Sequence, residues 1–238
     1  MLVAAALVPP TALLVPGASG IGDVLAAERR AALAAVRTVI AERPDALALV
    51  VPGAGPVRVG RMRPTLAAAG VDDAALGWPP QPTAGAGRVL VVDDVPAAVG
   101  LLLLHRAGWR GAVDLVPAGP TDGATLRMTG DRMVRLRRWG LVLVGGLSAR
   151  HGPDGPLATD DRAAPLDDVL AADLADLDGP ARARLRAVPS RLATTLAISA
   201  WGPWQVLLGA VPGDPARSRT HRVSAPLGAG YAALSWQW

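Results

Sequence analysis

The stretch that decides the fold is Trp139–Gly152, which has the sequence WGLVLVGGLSARHG. Every residue of Leu141–Val144 is apolar, which is typical of a strand that is buried on both faces of a parallel sheet. The glycine pair Gly145–Gly146 then lets the chain turn sharply and lets another group approach the backbone closely. A hydroxyl, a guanidinium and an imidazole side chain come next. Because ligands bind beyond the carboxyl ends of the strands in open α/β sheets, the sequence predicts a binding site here.

Apolar segments of the same kind recur along the chain and predict one sheet that helices cover on both faces. We expect its strands at residues 2–8, 45–51, 88–92, 112–116 and 140–145. Amphipathic helices are expected to pack against it at residues 23–42 and 95–106. A strand, a helix and a second strand within residues 1–55 favour parallel pairing with a right-handed crossover.

The remaining segments are expected to connect this sheet and to complete it. Residues 79–87 are rich in proline and glycine and are expected to be loop. In the C-terminal part, residues 152–238, helices are expected at 166–177 and 191–200, and closing strands at 221–223 and 231–238. The sequence therefore predicts a single domain over residues 1–238, in which residues 152–238 complete the sheet.

The composition limits the classes of function. The 238 residues include no cysteine, so neither disulfide bonds nor thiolate chemistry is available. All 24 basic residues are arginine, but aspartates are interspersed among them and the net charge is only +4, which disfavours a nucleic-acid-binding role. No apolar run approaches the roughly 20 residues that a membrane-spanning helix needs, so we expect a soluble, cytoplasmic protein with no membrane contact.

Motifs in the second half of the chain resemble those of a known family. They are GGLSARHGPDGP at residues 145–156, DDRAAPLDDVLAADLADLD at 160–178, WGPWQVLLGAV at 201–211 and APLGAGYAALSW at 225–236. The chain resembles the class III extradiol ring-cleavage dioxygenases, in particular an actinobacterial group of proteins that are like the B-type subunit of these enzymes. This group is related to the protocatechuate-cleaving β subunit and to the Memo proteins. The likeness spans the whole chain and is firmest over residues 141–238. It implies a three-layer α/β sandwich with a mixed, largely parallel sheet and helices on both faces.

The resemblance also implies a metal site, and the sequence departs from it there. In the active relatives, two histidines and a carboxylate hold a non-haem Fe(II), and another histidine assists catalysis. Here Pro10 stands where the first imidazole is expected, the second loop, residues 52–56, has no histidine, and the C-terminal carboxylate is missing. An iron facial triad needs two neutral imidazoles and a carboxylate on converging loops. We therefore expect no metal and no cofactor, and a non-catalytic domain that binds a small molecule or a partner.

The alternative is an active Fe(II) dioxygenase of catechol-type aromatics that uses substitute ligands such as His151, Asp93 or Asp94. The other two histidines, His105 and His221, are expected to have structural or solvent-exposed roles. Ser148 lacks the G-x-S-x-G context of a hydrolase nucleophile, which disfavours serine hydrolysis.

The candidate site residues lie in the segment quoted first. By resemblance, His151 corresponds to the assisting histidine, although it is displaced by two residues from the family's Gly-Gly-Leu-Ser-His pattern. Gly145 and Gly146 would let the backbone hold a ligand, and Ser148 and Arg150 would supply polar contacts. Because a guanidinium suits a carboxylate or a phosphate, the expected ligand is a small aromatic or anionic molecule.

The loops at residues 9–12, 52–56, 93–96 and 146–152 are expected to converge beside this segment. Two interpretations of Arg150 stay open at this point: it faces a ligand, or it pairs with Asp154 or Asp160. A partner subunit or a second copy of the chain is the other expected partner.

Overall fold

The computed structural model describes residues 1–20, 22–78 and 89–238. Its strands are β1 Leu2–Val8, β2 Ala46–Val51, β3 Arg58–Gly60, β4 Met62–Pro64, β5 Leu90–Val92, β6 Val113–Pro117, β7 Trp139–Val144, β8 Arg217–Ser224 and β9 Tyr231–Gln237. Its helices are α1 Ala26–Ala41, α2 Val95–Arg106, α3 Gly123–Met133, α4 Ala163–Asp176, α5 Gly179–Ala187, α6 Ser190–Thr195 and α7 Trp201–Ala210. Short 3₁₀ segments lie at Ala12–Leu14, Ala67–Ala69, Asp73–Leu76 and Pro226–Gly228.

A mixed sheet of seven strands, in the order β3-β6-β2-β7-β1-β9-β8, forms the centre of the fold. The four inner strands β6, β2, β7 and β1 run parallel to one another. The strands β3, β9 and β8 are antiparallel to their neighbours. At one edge of the sheet, β8 pairs only with β9. The pairing between these two strands is irregular at His221, which has no partner residue on β9.

Side chains that alternate along the strands build two apolar cores, one on each face of the sheet. On β1, Ala6 and Val8 face the core that includes α1 and α2, whereas Ala5 and Leu7 face the core that includes α4 and α7. This arrangement explains why the inner strands are apolar throughout, and it confirms the predicted three-layer α/β sandwich. Among the described residues, every helix is too short or too polar to cross a bilayer.

The prediction that residues 88–92 belong to the main sheet is wrong. The observed strand, β5, pairs in parallel with β4 in a separate sheet of two strands. The burial of β5 agrees with this position. Val92 is buried but Val91 is 58% exposed, whereas a central strand of the main sheet would bury both side chains. Residue 88 and the predicted loop at 79–87 lie outside the described residues.

The predicted helix over residues 191–200 is correct only as far as Thr195. Helix α6 ends at Thr195, Ala197 adopts a left-handed conformation, and α7 starts at Trp201. Helix α7 then packs very closely on α3: a Cβ added to Gly209 would lie 2.6 Å from the carbonyl carbon of Arg127. This contact is possible only because position 209 has no side chain.

Candidate functional site

The carboxyl-terminal edge of the main sheet is the place where the sequence predicts a site. The loops at residues 9–12, 52–56 and 145–152 follow the neighbouring parallel strands β1, β2 and β7, so they leave the sheet at this edge. The antiparallel strand β9 begins at the same edge. Residues 93–96 follow β5 of the small sheet and not a strand of the main sheet, so their convergence with the other loops stays a prediction.

The glycine pair after β7 is surrounded by the chain itself. A Cβ added to Gly145 would lie 2.7 Å from the backbone nitrogen of Ala200. One added to Gly146 would lie 3.3 Å from the carbonyl oxygen of Gly230 and 3.6 Å from Cδ of Pro10. The close approach that these glycines allow is therefore made by the loops before α7 and β9 and by the loop after β1.

The amide groups of the glycine pair also have partners within the protein. The Gly145 N–H donates to the carbonyl oxygen of Val8 at 2.9 Å. The Gly146 N–H donates to the hydroxyl oxygen of Ser199 at 2.8 Å. These are the two amides that the sequence assigned to a ligand, and both hold the β7 loop to its neighbours.

Ser148 and Arg150 make internal contacts as well. The Ser148 side chain is fully buried, and its hydroxyl donates to the Leu196 carbonyl oxygen at 2.7 Å. The Arg150 guanidinium donates from Nε to the Thr195 carbonyl oxygen at 2.7 Å and from Nη1 to the Ala158 carbonyl oxygen at 2.9 Å. Arg150 thus joins the loop after β7 to α6 through backbone carbonyls.

His151 contacts a carboxylate that the sequence analysis missed. Its Nε2 lies 2.7 Å from Oδ2 of Asp167, a residue of α4 that is 5% exposed. The two Asp167 oxygens also accept the Ser148 N–H, at 3.0 and 2.9 Å. Burial raises the pKa of Asp167, and the hydrogen bonds from His151 and Ser148 oppose that shift.

The position of Asp167 on its helix was the available signal. The buried residues Ala163, Leu170, Ala171 and Leu174 form the inner stripe of α4, and Asp167 lies in the same stripe. Because the helix also carries the exposed aspartates Asp168 and Asp176, its acidic character is typical of a solvated face, and the two buried carboxylates, Asp167 and Asp173, are hidden among them.

A second polar cluster, also missed, lies on the α1 side of this edge. Glu28, which is 4% exposed, accepts hydrogen bonds from Nε of Arg222 at 2.6 Å and from the Ser224 hydroxyl at 3.0 Å. Burial raises the pKa of the nearby Tyr231 phenol, a hydrogen bond with Thr11 opposes the shift, and the Glu28 charge adds to it. The cluster ties the first turn of α1 to β8.

The residues at this edge do not fit the iron site that the resemblance implies. His151 and Asp167 supply one imidazole and one carboxylate, whereas the triad needs a further imidazole. Within residues 1–20, 22–78 and 89–238, no group of three or more His, Cys, Asp and Glu side chains could hold a metal ion. The sequence of the other residues contains none of these four types.

Comparison with known proteins supports the fold. No family model matches the chain, and no curated protein sequence matches it. The solved structures that are similar to this chain include the crystal structure of uncharacterized protein JW3007 from Escherichia coli K12, with a TM-score of 0.55 and 15% sequence identity. The match covers 98% of this chain and 99% of that one, so the two share one architecture from end to end.

Proposed function

We propose that this chain is a non-catalytic binding domain on an extradiol-dioxygenase-like fold, without iron-dependent ring cleavage. The observation that carries the proposal is the contact between His151 and Asp167 at 2.7 Å. The histidine nearest to the expected catalytic position is bound to a buried carboxylate, and both oxygens of that carboxylate also accept a backbone N–H. The pair thus acts as a clasp between the loop after β7 and α4.

The alternative function, an active dioxygenase with substitute ligands, would require these groups to leave their present partners. His151 would have to turn from Asp167 to a metal. Asp94 caps α2, where its Oδ2 accepts the Ala97 N–H at 3.0 Å. Asp93 and Asp94 also follow the small sheet, whereas His151 follows the main sheet. Each of these features favours a binding domain over a metal enzyme.

A partner protein suits this domain better than a small ligand between the loops at residues 145–152. The amides of Gly145 and Gly146, the hydroxyl of Ser148 and the guanidinium of Arg150 already have partners in the chain. In contrast, apolar surface is exposed beside the loop after β2: Val57 and Val59 are 53% and 63% exposed. A partner protein or a second copy would bury these two side chains.

Anaerobic titration with Fe(II) tests the first part of the proposal. We expect no stoichiometric iron in the purified protein and no oxygen uptake with catechol-type substrates. One iron per chain, bound at micromolar affinity or better and lost in His151→Ala, would overturn the proposal and favour the dioxygenase.

Light scattering coupled to gel filtration tests the second part. We expect the wild type to run above the 24.3 kDa of one chain. The doubly substituted variant Val57→Ser, Val59→Ser should run as a monomer, because it replaces the two exposed valines of this surface with polar side chains. A monomeric wild type would exclude a second copy as the partner.

A further inference from the structure

Strand β8 is the long open edge of the main sheet. It has eight residues, of which six are exposed, and within the described parts of the chain it pairs only with β9. The strand at the other edge, β3, has only three residues. Alternate N–H and C=O groups of an edge strand point away from the sheet, so β8 can pair with a further strand on its outer side.

The bulge in β8 places three arginines on one face of the sheet. The partners of Arg217, Arg219 and Arg222 in the register are every second residue of β9, so the three side chains share a face. In an uninterrupted strand, Arg222 would point to the opposite face from the other two, because the side-chain period is two residues. The extra residue His221 shifts this period and so produces a row of positive charge along the edge.

This row of arginines lies on the side of the sheet that α1 covers. Arg222 donates from Nε to Oε1 of the buried Glu28, on α1, at 2.6 Å. Gln237, the partner of Arg217 in the register, donates from Nε2 to Oε1 of Glu42, directly after α1, at 2.6 Å. The ion pair with Glu28 explains Arg222 as a structural cation that ties β8 to α1.

Arg217 and Arg219 have no such structural explanation. Both are exposed, and neither forms an ion pair with a carboxylate in residues 1–20, 22–78 and 89–238. The remaining residues of the chain contain neither aspartate nor glutamate. Two cations therefore lie at alternate positions of a strand whose outer edge is open, and a carboxylate partner for them has to come from another molecule.

We propose that β8 binds an extended acidic segment of another protein, which adds to the sheet as a further strand and places carboxylates opposite Arg217 and Arg219. Residues that lie opposite each other on paired strands point to the same face, so the segment needs aspartate or glutamate at alternate positions. Backbone hydrogen bonds to β8 supply affinity, and the two arginines select the sequence. The site uses neither the valines beside the loop after β2 nor the loop after β7, so it stands whether or not the proposed function is correct.

Fluorescence anisotropy with labelled synthetic peptides tests the proposal on the whole chain. The acidic peptide has eight residues, the length of β8, and alternates glutamate with threonine. A neutral peptide carries glutamine in place of every glutamate. A third peptide keeps every glutamate but has proline in place of the central threonines, because proline has no N–H to donate to a neighbouring strand.

A double variant and a matched control separate the two arginines from the net charge of the protein. The variant is Arg217→Gln, Arg219→Gln, and the control is Arg132→Gln, Arg191→Gln. Arg132 and Arg191 are also exposed and form no ion pair with a described residue, so both variants change the net charge equally. They belong to α3 and α6, which pack in the core on the other face of the sheet.

We expect the acidic peptide to bind to the wild type and to the control with equal affinity, and to slow hydrogen exchange at the amides of residues 217–224. Its Kd should rise about tenfold in the Arg217→Gln, Arg219→Gln variant, because two exposed ion pairs across the strands are lost. The neutral and the proline-containing peptides should bind much more weakly to the wild type.

Three results would overturn the proposal. The first is equal affinity of the acidic peptide for the variant and for the control. The second is equally tight binding of the proline-containing peptide, or unchanged hydrogen exchange in β8, since either would mean attraction between charges without an added strand. The third is no binding of the acidic peptide to the wild type at concentrations up to about 1 mM.

Discussion

Replacement of Asp167 by alanine tests the clasp between the loop after β7 and α4. In the folded protein this carboxylate accepts the buried Ser148 N–H and contacts the imidazole of His151. The variant leaves the Ser148 amide without a partner in a place with no solvent, which costs about 1–3 kcal/mol. Loss of the charged contact with His151 adds about 2 kcal/mol, so we expect the free energy of unfolding to fall by about 3–5 kcal/mol.

Urea unfolding followed by tryptophan fluorescence measures this loss, and thermal unfolding should show a decrease in Tm of roughly 6–20 °C. Asp168→Ala is the matched control, because Asp168 is the next residue on the same helix and is exposed. We expect the control to change the free energy of unfolding by less than about 0.5 kcal/mol. Equal losses in the two variants would show that the clasp contributes nothing beyond the helix propensity of the position, and the reasoning would be refuted.

Two further predictions concern packing and pH. Gly209→Ala should lower the free energy of unfolding by about 3 kcal/mol or more, because its Cβ would meet the backbone of Arg127 and force α3 and α7 apart. At Gly213 an added Cβ meets nothing within 4 Å, so the control Gly213→Ala should be nearly neutral in the same urea titration. Burial, and then the charge of Arg219, lower the pKa of His221 below its ordinary value of 6.5, so the unfolded chain binds the proton more tightly. Stability should therefore fall as the pH drops below 6.5 toward the folded-state pKa, and His221→Gln should reduce that fall; an unchanged pH profile would contradict the assignment.

The main sheet could be predicted because its strands carry their own signal. Residues 2–8, 46–51 and 139–144 are apolar throughout, and only a strand that is covered on both faces buries nearly all of such side chains. The small sheet could not be told apart in this way. The sequence of β5 is as apolar as that of an inner strand, although Val91 is exposed, so the segment was assigned to the wrong sheet.

The place of the loop after β7 on the fold could be predicted, but the contacts of its residues could not. Gly145 and Gly146 do permit a close approach, yet the group that approaches Gly145 is Ala200, which lies more than 50 residues further along the chain. Whether an amide is free for a ligand depends on such tertiary contacts. Asp167 was missed for the same reason, because its partner His151 belongs to another element.

Strand β8, one of the two edge strands of the main sheet, affects how this protein behaves in concentrated solution. An open strand edge can recruit an identical strand from a second molecule and start the growth of fibrils. Here the edge strand carries Arg217 and Arg219 on exposed positions, and the extra residue His221 interrupts its hydrogen-bonding pattern. Two copies of β8 laid side by side would bring positive charges together along a bent ladder. The edge is thereby protected against aggregation without a covering helix.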